Sequence, residues 1–110
     1  MDKRTRTGLL LDCYGALLTG RQRALMRLHF DEDLSLAEIA EREHVSRQAV
    51  RDALVRAEAQ LDDYETKLGL LARDMELTKQ IRALMETQSD AATREGLALL
   101  LERIEGSDGV

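Results

Sequence analysis

The sequence has no proline and no tryptophan, and its 110 residues include one phenylalanine, two tyrosines and one cysteine. A sandwich or barrel draws on aromatic and β-branched residues and on turn formers, so this composition argues against one. Cys13 has no partner in the sequence, which excludes an internal disulfide framework. It reads as a small buried apolar group in a reducing cytosol. Long apolar runs are also missing: after the basic start from Met1 to Thr7, the leucines are broken by Asp12, Gly15 and Thr19. They make neither a signal-peptide core nor a membrane span, and the protein is expected to be cytoplasmic. His29 and His44 have no cysteine or second histidine at metal-ligand spacing, and there is no glycine-rich phosphate loop. Catalysis, a metal and any other cofactor are therefore not expected.

What is present favours helices: 44% of residues are hydrophobic and 34% charged. The length suits one small domain with an appendage, and not two full cores. Residues 1–60 carry ten basic and ten acidic groups, residues 61–110 six and eleven, so the net charge of −5 lies wholly in the second half. An acidic chain is a poor nonspecific nucleic-acid binder, although a locally basic face could still bind. The acidic half also lacks the Lys/Arg-rich polar face of a membrane-surface helix.

Leu9, Leu10, Leu11, Tyr14, Leu17 and Leu18 recur at helical spacing and predict a first helix over about residues 7–18. Thr19 offers an N-cap for a second, whose face of Leu25, Met26, Leu28, His29 and Phe30 opposes Arg21, Arg23 and Arg27. Ser35 followed by Glu38 is a capping box and predicts a third helix from about Leu36 to Glu43. Ser46 then provides another N-cap, leaving His44 and Val45 as a sharp turn. From there Val50, Leu54, Ala57, Leu61, Tyr64, Leu68, Leu71 and Met75 form a heptad seam, with Gly69 placed to kink or end the helix. A further helix is expected around Leu77, Ile81, Leu84 and Met85, and a last one around Leu97, Leu100, Leu101 and Ile104, with fraying from Gly106 to Val110.

The turn is the most specific signal in the chain. Ala40 is small enough to let a second helix approach closely, while Ile39, Val45, Val50 and Leu54 supply apolar contacts, the arrangement of a helix-turn-helix. His44 stands where glycine is usual and tolerates positive φ better than a β-branched residue would. The helix after Ser46 would present Arg47, Gln48 and Arg51 outward, with Asp52 and Arg56 further along. Arginine can pair with guanine and glutamine with adenine, while Ser46 and the first amides of the helix can hold a phosphate. Their structural alternative is an ordinary solvated face on a helix whose other side is core.

The segments Leu17-Leu18-Thr19, Gln22-Arg23, Leu34 to Ala40 and Val45 to Val50, followed by Leu61 to Leu71, resemble the YlxM-type proteins of bacteria. The resemblance covers roughly residues 9–72. It implies a helix-turn-helix similar to the fourth region of sigma factors, and a regulatory role or an accessory one in the signal recognition particle pathway. The partners it implies are DNA or the particle's RNA, and the particle's protein or its receptor.

The expected fold is all-α: a sigma-factor-like helix-turn-helix bundle with a helical C-terminal extension. Residues 1–60 would form the helix-turn-helix domain and residues 61–110 the extension. Beyond Tyr64 the seam outruns the short helices before it, which assigns Leu68, Leu71 and Met75 to a homodimer interface. Two functions follow: a regulator that binds nucleic acid through Ser46, Arg47, Gln48, Arg51 and Arg56, or an accessory that contacts the particle's protein or RNA without binding DNA.

Overall fold

Side-chain caps punctuate the chain and fix where its helices begin. In the computed structural model, which describes residues 1–87 and 90–106, the order is α1 (Lys3–Tyr14), a short 3-10 turn (Gly15–Leu17), α2 (Gly20–Phe30), α3 (Leu36–Glu43), α4 (Arg47–Leu68), α5 (Leu70–Thr87) and α6 (Ala91–Glu105). The described residues contain no strand, and the protein is all-α. Thr19 and Gln22 form a reciprocal capping box at α2, and Ser35 and Glu38 form another at α3. The first helix starts earlier than its leucine pattern predicts, because the Asp2 carboxylate accepts the Thr5 amide at 2.7 Å and nucleates the turn before the apolar stripe. It also ends earlier, at Tyr14, and tightens into the 3-10 turn.

The core forms around α4. Val50, Leu54, Ala57 and Leu61 are its buried stripe, and α1, α2 and α3 all pack against it. They contribute Leu10, Leu11, Tyr14, Leu25, Met26, Leu28 and Ile39. Removing each large apolar side chain of this kind from water contributes about 1.5–3 kcal/mol before entropy is counted. Cys13 is part of the same cluster. Burial pushes its thiol up to about 11, helped by the carboxylates of Asp74, Glu65 and Asp12, so it stays protonated and unreactive near neutrality.

The heptad seam is interrupted at Gly69, whose φ of 64° ends α4 in the left-handed region. There the backbone turns and the phase of the stripe resets: Leu61 and Leu71 are buried, while Leu68 and Met75 are exposed. Leu71 therefore belongs to the chain's own core and does not sit on a free face with its two seam neighbours. The junction between residues 60 and 61 falls inside α4, and the core continues past it to Leu71.

Buried polar groups lock this junction. The Tyr14 hydroxyl donates to Glu65 Oε1 at 2.7 Å and accepts from the Leu70 amide at 2.8 Å. Glu65 also accepts from the amides of Leu71 and Ala72, at 3.0 and 3.1 Å, and so caps α5 from a distance. Tyr14 is fully buried, and burial followed by its bond to Glu65 pushes its hydroxyl up to about 12.

From this junction α5 and α6 run as a helical hairpin, tied by Arg82 to Glu105. The hairpin extends the molecule to 57 × 27 × 23 Å, with a radius of gyration of 17.3 Å, against roughly 13 Å for a compact chain of this length. Its buried residues are Leu71, Ile81 and Leu101, whereas Met75, Leu77, Leu84, Leu99 and Leu100 are exposed. Of the segment expected to fray, Gly106 to Val110, residues 107–110 lie outside the described residues. Among the described residues no helix is long and apolar enough to cross a membrane.

Tyr14→Phe keeps the ring but removes both hydroxyl bonds, and is expected to lower stability by about 1–2 kcal/mol. The wild-type protein is also expected to weaken in alkali. An unfolded chain releases this proton near 10 while the native state holds it to about 12, so the stabilisation is full below pH 10 and lost as pH rises towards 12. Guanidinium unfolding of both proteins at pH 8 and pH 11 checks this. A variant as stable as wild type at pH 8 would show that the network contributes nothing.

Candidate nucleic-acid interface

Helices α3 and α4 are held at a sharp turn by both backbone and side chains. The Ser35 hydroxyl accepts the Glu38 amide at 3.1 Å, and the Glu38 carboxylate accepts the Ser35 amide at 3.0 Å. The Ser35 amide, followed by the Ser35 hydroxyl, holds the Glu38 carboxyl below its ordinary value. At the other end of α3, His44 has φ 57° and ψ 43°, the left-handed conformation its place in the turn requires. The amide of Val45 donates to Ala40 O at 3.0 Å and that of His44 to Glu41 O at 3.4 Å, which closes the helix end. Ile39, Ala40, Val50 and Leu54 are buried at the contact between the helices. Val45, expected among those contacts, is 36% exposed at the surface of the turn.

The loop before α3 is fixed by a residue distant in sequence. Arg4 donates to His29 O at 2.8 Å and to Asp33 Oδ1 at 2.6 Å, and its guanidinium lies 5.1 Å from the Phe30 ring centroid. His29 Nδ1 is 2.8 Å from Leu34 O, a contact that requires the proton on that nitrogen. Arg4 thus positions the start of the motif, a role no local pattern signals.

At the start of α4 the Ser46 hydroxyl accepts the Ala49 amide at 3.0 Å. The side-chain cap leaves the Arg47 and Gln48 amides without intrahelical acceptors, at the positive end of the helix dipole. Ser46, Arg47, Gln48, Arg51 and Arg56 are all exposed. With 3.6 residues per turn, Arg47, Gln48 and Arg51 share an arc of about 100°, while Arg56 lies about 140° round the helix from Arg51. The structure therefore brings the first three together on one exposed flank of α4, centred about 100° round the helix from the Val50–Leu54–Ala57–Leu61 stripe, and sets Arg56 apart from them.

Ion pairing separates the arginines of this half of the chain. Arg4 and Arg6 pair with Asp33 and Asp62, and Arg27 pairs with Asp12 and Asp31. No ion pair engages Arg47, Arg51 or Arg56 among the described residues. A region whose formal charges sum to zero thus keeps an open positive surface at the start of α4. Within it, Gln48 Nε2 donates to Asp52 Oδ1 at 2.9 Å, and Val55 is exposed one turn further on. Among the described residues no group of three His, Cys, Asp or Glu side chains could hold a metal ion.

A capped helix packed on the core through Ile39 and Ala40, a left-handed turn and a second capped helix with exposed basic and amide side chains make this a helix-turn-helix protein. Residues 1–99 match the family UPF0122, described as "Putative helix-turn-helix protein, YlxM / p13 like", and the chain belongs to that family. It is similar to a UPF0122 protein of Halalkalibacterium halodurans, with 45% identity over 105 residues and 96% of each chain covered. The UPF0122 protein YlxM of Bacillus subtilis is 42% identical over 108 residues, covering 98% of each chain. A UPF0122 protein of Clostridium botulinum is 46% identical over 86 residues, covering 78% of this chain and 79% of its own.

His44→Gly is expected to stabilise the protein by about 0.5–1 kcal/mol, because relief of left-handed strain exceeds the added entropy of the unfolded chain. Chemical denaturation checks this. A loss of stability would mean that the His44 side chain makes a contribution larger than the backbone strain.

Proposed function

We propose that this protein is a DNA-binding regulator that contacts duplex DNA through the start of α4. The observation that carries the reading is the exposed set of Arg47, Gln48 and Arg51, whose two arginines make no ion pair among the described residues, on one flank of a helix whose inner face is locked in the core. Ser46 and the first amides of α4 would hold a phosphate, and the two arginines would contact guanine edges or the backbone. Arg56, on another flank, would reach backbone only. DNA is favoured over double-helical RNA because the A-form major groove is too deep and narrow for a helix to read.

We also infer a homodimer. One chain offers one such helix, and a two-fold pair would match two half-sites about 34 Å apart. The exposed leucines and methionine of the hairpin, with Leu68 at the end of α4, support this reading, with Leu68 and Met75 on the interface and Leu71 beneath it.

Fluorescence anisotropy with random and selected duplexes at two salt concentrations tests the binding. Wild type should bind in a salt-sensitive manner, and the variant combining Arg47→Ala with Arg51→Ala should lose about 100-fold in affinity with unchanged helical content. Undiminished binding by that variant, or binding only to the protein or RNA of the signal recognition particle, would overturn the reading. For the dimer, Leu68→Glu with Met75→Glu should sediment as a folded monomer. Dimers that persist would place the interface elsewhere.

A further inference from the structure

The Gln48–Asp52 bond constrains what α4 can recognise. A carboxylate repels an amide oxygen, so Gln48 must turn its NH2 group to Asp52, at 2.9 Å, and keep Oε1 free. Asp52 retains a second oxygen, and no cation pairs with it among the described residues. The first turn and a half of α4 therefore combines two acceptors, Gln48 Oε1 and the free Asp52 oxygen, with the second Nε2 hydrogen of Gln48 and the guanidinium donors of Arg47 and Arg51. These acceptors cannot serve as phosphate contacts, because phosphate oxygens are acceptors themselves and Asp52 is anionic as they are. In the major groove, thymine O4 and guanine O6 and N7 are acceptors too, and only the exocyclic amino groups of cytosine and adenine donate.

Resting on α4 as the DNA-contacting helix, we propose that Gln48 and Asp52 form a base-reading pair for the amino group of cytosine or adenine in duplex DNA, beside a guanine contacted by Arg47 or Arg51. The pair gives the helix a preference that its arginines alone would lack. Its negative charge also lowers affinity for every other sequence.

Selection of bound duplexes from a randomised pool tests this, with wild type, Asp52→Ala, Asp52→Asn and the Arg47/Arg51 double alanine variant. Wild type should fix cytosine or adenine at one position next to guanine, and the base enriched identifies which amino group is read. Substituting thymine there should weaken binding about 10-fold or more. Asp52→Ala should reduce that discrimination to about threefold or less while binding random duplex as well as wild type or better. If Asp52→Ala loses helical content, the near-isosteric Asp52→Asn serves in its place, with the position shifting towards adenine. Arginine-dependent binding with the same preference in both Asp52 variants would overturn the base-reading pair and leave α4 as the interface. A wild type that binds no duplex would overturn both.

Discussion

Everything in this molecule depends on α4 keeping one face dry. Val50, Leu54, Ala57 and Leu61 are buried at four- and three-residue steps, and α1, α2 and α3 reach the same stripe from different sides. Ala57 is fully buried and has no bulk to hold the neighbouring helices away. Because the inner face is fixed, the rotation of the outer face is fixed as well. Arg47, Gln48 and Arg51 owe their shared direction chiefly to the buried stripe that sets the rotation of the helix.

A second constraint sits at the far end of α4. Gly69 turns the backbone into the left-handed region, and the Tyr14–Glu65 network holds the first amides of α5 where that turn delivers them. An aromatic residue in α1 thus sets the direction of a hairpin that begins 56 residues later. This explains why α5 and α6 project from the core while Leu71 remains inside it. A single continuous helix would have kept Leu68, Leu71 and Met75 on one face; with the reset at Gly69, Leu71 is buried while Leu68 and Met75 are exposed.

The parts of this architecture that sequence revealed are those governed by contacts within a few residues. Thr19, Ser35 and Ser46 mark helix starts because each cap bonds an amide three residues away, and His44 was legible as the left-handed position from its place between two capped helices. The helix-turn-helix and the exposure of its basic residues follow from such local rules. Long-range effects were hidden. Arg4 acts on residues 25 and 29 positions away, and the Tyr14 hydroxyl bonds a carboxylate 51 positions away. The seam carried through Gly69 without a break because spacing records distance along the chain and not the rotation a left-handed residue imposes. Likewise Gln48 and Asp52 were visible as polar residues, but their bond, which decides what each can still offer a ligand, required coordinates.

The charge distribution gives the proposed interface its character. A strongly basic protein would bind any duplex through phosphate contacts and would then depend on a large number of base contacts to be selective. Here the chain carries −5, and the internal pairs of Arg4, Arg6 and Arg27 remove half-exposed cations from the available total. Only a few positive groups remain at the start of α4, with Asp52 among them. On the proposed reading such a surface would have weak background affinity, so two or three base contacts of about 1–3 kcal/mol each would dominate the choice of site. Selectivity in a genome is a ratio between specific and nonspecific affinity. A small acidic protein can raise that ratio by lowering its denominator, and a carboxylate within the proposed reading face would do so at the point where the bases are met.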